Sequence, residues 1–266
     1  MNVLNALILA LIVGASVAFY LRIFRQVYMQ TSGKVDASHF GRVDAYLAVG
    51  CVAMFIIQCF QNMEGGKGVL PASIDTTALF LVQLGFWLFV IGTIVSSELL
   101  RGMHPGVIFG FDRLGFLKLF FLGLALLVAA LPLILASSAM ISSFLRSDPQ
   151  RDAQPIMQLF EHSSDPGKRV PLIILAVVVA PISEEFVFRG FLYGVLKRYA
   201  GGVSALLSSG LLFAIIHMHV PSLLPLFLLG CVLTVAYELS GSLLVPMTMH
   251  ALFNTLTLVQ VFFGDR

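Results

Sequence analysis

The sequence is short of charge. Only 11% of its 266 residues are Asp, Glu, Lys or Arg, against 58% hydrophobic, whereas a soluble domain carries about 25% charged residues. So sparse a supply cannot cover a water-facing surface, and lipid must be part of the solvent. Net charge is small as well, +2 from 16 basic and 14 acidic side chains, which offers no electrostatic handle for nucleic acid. Cysteine is nearly missing. Cys51, Cys59 and Cys231 are odd in number, lie inside apolar runs and lack metal-type spacing. That argues against a disulfide framework or a zinc ribbon and favours small buried packing residues. There is no internal repeat and no low-complexity tract. No HExxH and no GxSxG elbow occurs, so zincin and serine-triad readings have no support.

What the chain has in quantity is apolar length. A hydrocarbon core of about 30 Å takes about 20 apolar helical residues, since every backbone group must bond internally. Eight such stretches are legible, at 3–21, 45–61, 76–97, 116–139, 170–190, 203–218, 222–239 and 243–263. The expected fold is therefore all-α, a multi-pass integral membrane bundle of about eight transmembrane helices, in a plasma or inner membrane. Residues 1–140 hold four spans, 141–169 form a polar connection and 170–263 hold four more. Within the connection, Ile156, Met157, Leu159 and Phe160 are placed to form a short helix on the membrane surface. Ser16-Val17-Ala18 imitates a signal-peptide cleavage site. The residues before that first run contain no Lys or Arg, however, while Arg22 and Arg25 follow it, so it reads as a retained helix. With the N-terminus outside, ten Lys or Arg fall inside (Arg22, Arg25, Lys34, Arg42, Arg101, Arg113, Lys118, Arg189, Lys197, Arg198) and six outside (Lys67, Arg146, Arg151, Lys168, Arg169, Arg266). The positive-inside rule favours this orientation.

Against that background the ionisable residues inside apolar spans stand out, because each costs about 2.5–3.5 kcal/mol to insert. The fifth stretch contains Ser183-Glu184-Glu185-Phe186-Val187-Phe188-Arg189. Glu185 and Arg189 are i and i+4 and can pair on one helix face. Glu184 projects about 100° away and lacks that partner. A buried ion cluster accounts for Glu185 and Arg189 but leaves Glu184 unexplained. The sixth stretch ends Phe213-Ala214-Ile215-Ile216-His217-Met218-His219. His217 lies one turn after Phe213, and His219, beside Pro221, reads as interfacial. The eighth stretch sets His250 and Asn254 on one face at i and i+4, where imidazole and carboxamide can aim hydrogen bonds at a shared point.

Chain geometry lets these groups meet. Glu184 lies about 24 Å and His217 about 22 Å from the Gly201-Gly202 turn at 1.5 Å per residue, so antiparallel neighbours bring them to nearly equal depth. His250 and Asn254 lie about 14 and 20 Å from Gly241 by the same rise. Gly190 and Gly194, four apart, have the small-xxx-small spacing that allows close helix approach.

Glu184-Glu185-x-x-x-Arg189, then Phe213-x-x-x-His217, then His250-x-x-x-Asn254 resembles the motif set of the CAAX prenyl protease 2-like family, also called CPBP or Abi intramembrane endopeptidases. The run Tyr237-Glu238-Leu239-Ser240-Gly241-Ser242-Leu243 resembles that family's connector before the last motif. The likeness extends over about residues 171–257, and the first four spans share only hydrophobicity. It implies hydrolysis of peptide bonds in or near the membrane. On this resemblance Glu184 activates the attacking water with help from His217, His250 and Asn254 stabilise the oxyanion, and Glu185 with Arg189 holds the geometry. A carboxylate desolvated among Phe, Val and Ile suits a general base. The resemblance implies no cofactor, a peptide or protein substrate at the bilayer, and no nucleic acid. Two alternatives share the residues. Glu184, His217 and His250 are also an acceptable set of three catalytic zinc ligands. A proton-coupled transporter or a membrane scaffold could carry similar carboxylates and histidines, although a proton relay gains little from Asn254. Whether the substrate is prenylated is not written in these residues.

Overall fold

A computed structural model describes residues 3–30, 33–64, 75–146, 159–160 and 165–264. The regular structure among the described residues is helical, with no strand. We number eight helices: α1, Val3–Phe24, prolonged by a widened π-type turn to Met29; α2, Arg42–Glu64; α3, Thr76–Leu100; α4, Phe116–Leu145; α5, Gly167–Ala200; α6, Gly202–Ile215; α7, Leu223–Ser240; and α8, Leu244–Gly264. Seven of these are long and apolar enough to span a bilayer, and the chain is an integral, multi-pass membrane protein. The exception is α6. Its 14 residues rise about 21 Å, short of a hydrocarbon core, so the helical part of the sixth stretch is not long enough to span a bilayer by itself.

Side-chain bonds fix the relative directions. Ser16 and Tyr20 donate to the carbonyls of Ala129 and Leu126 at 2.5 and 2.6 Å, which makes α1 and α4 antiparallel. Asp44 in the first turn of α2 meets Arg101 just past α3. Arg189 reaches the Gly230 carbonyl while Tyr193 and Lys197, farther along, reach Glu238, so α5 and α7 run parallel with α6 between them. The enclosed partner is α7, whose Leu229, Leu233, Ala236 and Glu238 are fully buried. By contrast Leu11, Leu88, Phe89, Val128 and Leu135 point outward, as expected of faces solvated by lipid.

Local chemistry sets the helix ends. The Asp75 and Asp165 carboxylates accept from the Thr77 and Gly167 amides, both at 2.9 Å, capping α3 and α5. Gly241, at φ 70°, takes the left-handed conformation that stops α7. The close helix contact is not the one expected of Gly190 and Gly194. A Cβ on Gly190 would meet Leu243 and Phe109, and one on Gly194 would meet the Phe40 ring, so both glycines admit loop side chains. The backbones instead touch at Gly210 and Gly230, where a Cβ on Gly230 would lie 2.9 Å from the Gly210 Cα.

Two further expectations change. Arg189 is fully buried mid-helix, so it is not a loop charge and drops out of the positive-inside count. Leu159 and Phe160 do not turn their side chains outward. They are buried against Leu172, Ala176 and Leu258, while Ile156 and Met157 fall outside the described residues.

Candidate active site

Helix α5 is not a uniform α-helix. Two widened π turns, Leu175–Val179 and Phe186–Leu192, flank the α-helical turn Ala180–Glu185. Proline explains the first of them. Pro181 has no N–H and cannot continue the α ladder, and the helix accommodates the gap by one longer bond, from Ala180 N–H to the Leu175 carbonyl. π turns of this kind recur at functional sites.

The Ala180–Glu185 turn carries the two carboxylates. Glu185 is fully buried, and its Oε1 accepts from Arg189 Nη1 at 2.9 Å and from His250 Nδ1 at 2.8 Å. The i, i+4 ion pair is thus present, and His250 joins it from α8. Because a carboxylate only accepts, Nδ1 of His250 carries the proton, and Nε2 is left facing Glu184 Oε2 at 4.0 Å. Among the described residues Glu184 Oε2 is buried without a hydrogen-bond partner.

The short helix α6 supplies the opposite wall. It ends at Ile215, and the next turn passes through Met218 in the left-handed region, φ 49°. His217 sits in that turn, and its Nδ1 donates to the Phe213 carbonyl at 2.6 Å. This caps a carbonyl that the helix end leaves unpaired. It also fixes the tautomer, so Nε2 of neutral His217 is the free lone pair. Had α6 run on to the surface, His217 would lie inside a regular helix and not in its terminal turn. The Phe213 ring joins the parts, with centroids 4.9 Å from His217 and 5.7 Å from His250 and the Arg189 guanidinium 4.2 Å over its face. His219 lies apart in the following turn, half-buried, with Nδ1 on Ser222 Oγ.

Asn254 is engaged elsewhere than the shared-point reading expects. Its Nδ2 donates to the Ala176 carbonyl at 2.8 Å, in the first π turn, which leaves the carboxamide a second N–H. Among the described residues, no three His, Cys, Asp or Glu side chains are grouped so as to hold a metal ion. A metal between Glu184, His217 and His250 would have to take Nε2 of each ring, since both Nδ1 atoms are committed.

A further buried carboxylate lies outside the three motifs. Glu238 accepts from Tyr193, Lys197 and the Val35 amide, at the end of the bundle away from His217. Its signal was an acidic residue inside an apolar span, overlooked because Tyr237–Leu243 read as a connector. Asp44 and Glu98 similarly share Arg101 at the ends of α2 and α3.

Fold and site together define a multi-pass helical membrane protein with a carboxylate–histidine centre buried between α5, α6 and α8. Residues 166–256 match the family model described as Type II CAAX prenyl endopeptidase Rce1-like, so the resemblance carried by the three motifs holds, and all of them lie within the match. A 24.3 kDa Escherichia coli protein, whose name assigns no activity, is 37% identical over 114 residues, 40% of this chain and 52% of that one. A Bacillus subtilis protein named as a proposed membrane peptidase, YdiL, is 32% identical over 92 residues, 34% of this chain and 38% of its own. The membrane-embedded CAAX protease MroQ of Staphylococcus aureus is 30% identical over 95 residues, 33% and 38% of the two chains. The chain spans about half or less of the length of these relatives. No solved structure matches it.

Proposed function

We propose that this protein is an intramembrane endopeptidase that hydrolyses peptide bonds of membrane-associated substrates with a glutamate-activated water. The observation that carries the proposal is the Glu184 carboxylate, which has a buried oxygen free of hydrogen bonds. Beside it stand two imidazoles whose Nδ1 atoms are already committed. In this reading a water gives one proton to Glu184, oriented by the Nε2 lone pair of His217, and its oxygen attacks the peptide carbonyl carbon. His250, protonated through Nε2, and the second amide hydrogen of Asn254 stabilise the oxyanion. Such donors are worth about 2.7–4 kcal/mol each in a soluble protease. Collapse of the tetrahedral intermediate breaks the C–N bond, and Glu184 returns the proton to the departing amine. Glu185, with Arg189 on one side and His250 on the other, holds the imidazole in its tautomer. Prenylation of the substrate is no part of this proposal.

The test is a comparison of membrane proteomes from cells making the wild type or His217→Ala. New peptide termini should appear with the wild type alone, and identical termini from both would sink the assignment. We further propose that no metal takes part. Purified protein should then hold well under one equivalent of zinc and keep its activity through exhaustive chelation. Stoichiometric zinc, with activity lost on removal and restored on addition, would instead make Glu184, His217 and His250 its ligands.

A further inference from the structure

One buried carbonyl in α5 has lost both of its regular helical donors. In an α-helix the Ala176 oxygen would receive the N–H of Ala180, but that N–H is bonded to Leu175. In the widened register it would receive the N–H of residue 181, which is Pro181 and has none. A buried carbonyl left without a donor is destabilising. The bond that it does receive comes from another helix, the Asn254 carboxamide at 2.8 Å. Ala176 is buried and lies eight residues before Glu184, while Asn254 is one turn beyond His250, whose ring holds Glu185. Helices α5 and α8 are therefore pinned at two points on either side of Pro181.

We infer that Pro181 is a positioning residue of the centre: by denying Ala176 a backbone donor it reserves that carbonyl for Asn254 and thereby sets the face that the Glu184 turn presents to α8. The positioning role rests on the peptidase reading, whereas the pinning itself does not. Replacing Pro181 by Ala supplies the missing donor whichever register forms. If α5 relaxes to a regular helix, the Ala180 N–H reaches Ala176, and if the wide turn persists, the new N–H at 181 does. Asn254 then competes with the backbone for one oxygen, and the pin loosens.

The experiment is a double-mutant cycle on the full-length protein in detergent, reading melting temperature and steady-state kinetics for Pro181→Ala, Asn254→Ala and the double variant. Asn254→Ala alone should lower the melting temperature, because it strands the carbonyl. In the Pro181→Ala background the same change should lower it by less than half as much. Pro181→Ala alone should stay folded and lose about 10- to 100-fold in kcat with little change in KM, the range expected of a small misplacement. Strictly additive melting shifts would overturn the pin, and an unchanged kcat in Pro181→Ala would overturn the positioning role. Failure of the wild type to cleave any peptide would refute the peptidase reading instead, and with it the positioning role, while the melting cycle still decides the pin.

Discussion

Glu184→Gln should abolish peptide cleavage while leaving a folded, membrane-inserted protein. Glutamine keeps the length and shape of the side chain and removes only the capacity to take a proton. The loss should reach at least the 10²–10⁴-fold range typical of a positioned general base. Stability should not suffer, because Glu184 Oε2 makes no hydrogen bond among the described residues and the His250 Nε2 that faces it is 4.0 Å away. Taking a charge out of that environment relieves desolvation and is expected to hold or raise the melting temperature, the trade-off of a residue kept for chemistry. A purified Glu184→Gln protein with full turnover would show the mechanism to be wrong. His219→Ala is the matched control. That ring turns to Ser222 in the loop, and its loss should be nearly silent in activity.

Arg189→Leu should have the opposite profile, a large fall in melting temperature. The guanidinium and Glu185 are both fully buried, 2.9 Å apart, and the same group lies over the Phe213 ring and reaches the Gly230 carbonyl. Removing one member of such a pair strands the other and costs about 3–5 kcal/mol in soluble interiors. Glu185→Gln should also melt earlier than Glu184→Gln, since Glu185 Oε1 serves both Arg189 and His250. The double variant Glu185→Gln/Arg189→Leu should recover part of the loss, because neither member of the pair is left stranded by removal of the other. Strictly additive losses, or a Glu184→Gln protein that melts earliest, would mean that the two carboxylates have been assigned the wrong way round.

The helical architecture and the meeting of the site residues were legible because both follow from local rules. Apolar runs give spans, and a rise of 1.5 Å per residue brings Glu184 and His217 to the same depth. The i, i+4 spacing of Glu185 and Arg189 also sufficed to foresee their pairing. What could not be read depended on tertiary neighbours. Periodicity does not show where a helix ends, so α6 read as longer than its 14 residues. Gly190 and Gly194 have the spacing of a helix-packing motif, but Phe109 and Phe40 fill the space above them, and nothing local distinguishes the two uses. The attachment of His250 to Glu185 was invisible because it depends on how α8 is rotated. That of Asn254 to Ala176 was invisible because it requires a carbonyl freed by a π turn. Glu238 was legible in principle by the argument applied to Glu184, as an acid in an apolar span.

The contacts of Glu238 also say something about modularity. Residues 166–256 match the family model, yet that segment is completed by groups from well upstream. The Val35 amide bonds to the Glu238 carboxylate, and the Val35 carbonyl accepts from Lys197. Phe109 gives its carbonyl to the Leu243 amide, and Arg113 reaches over to the Lys34 carbonyl. Phe40 and Phe109 occupy the notches at Gly194 and Gly190. The boundary of sequence similarity is therefore not a boundary of cooperativity. A fragment cut before residue 165 would bare two glycine notches, a carboxylate deprived of its amide donor and an unpaired amide at Leu243, all at one end of the bundle. In transplanting the helices of residues 166–256 to another scaffold, the loops at 33–41 and 105–113 would have to travel with them.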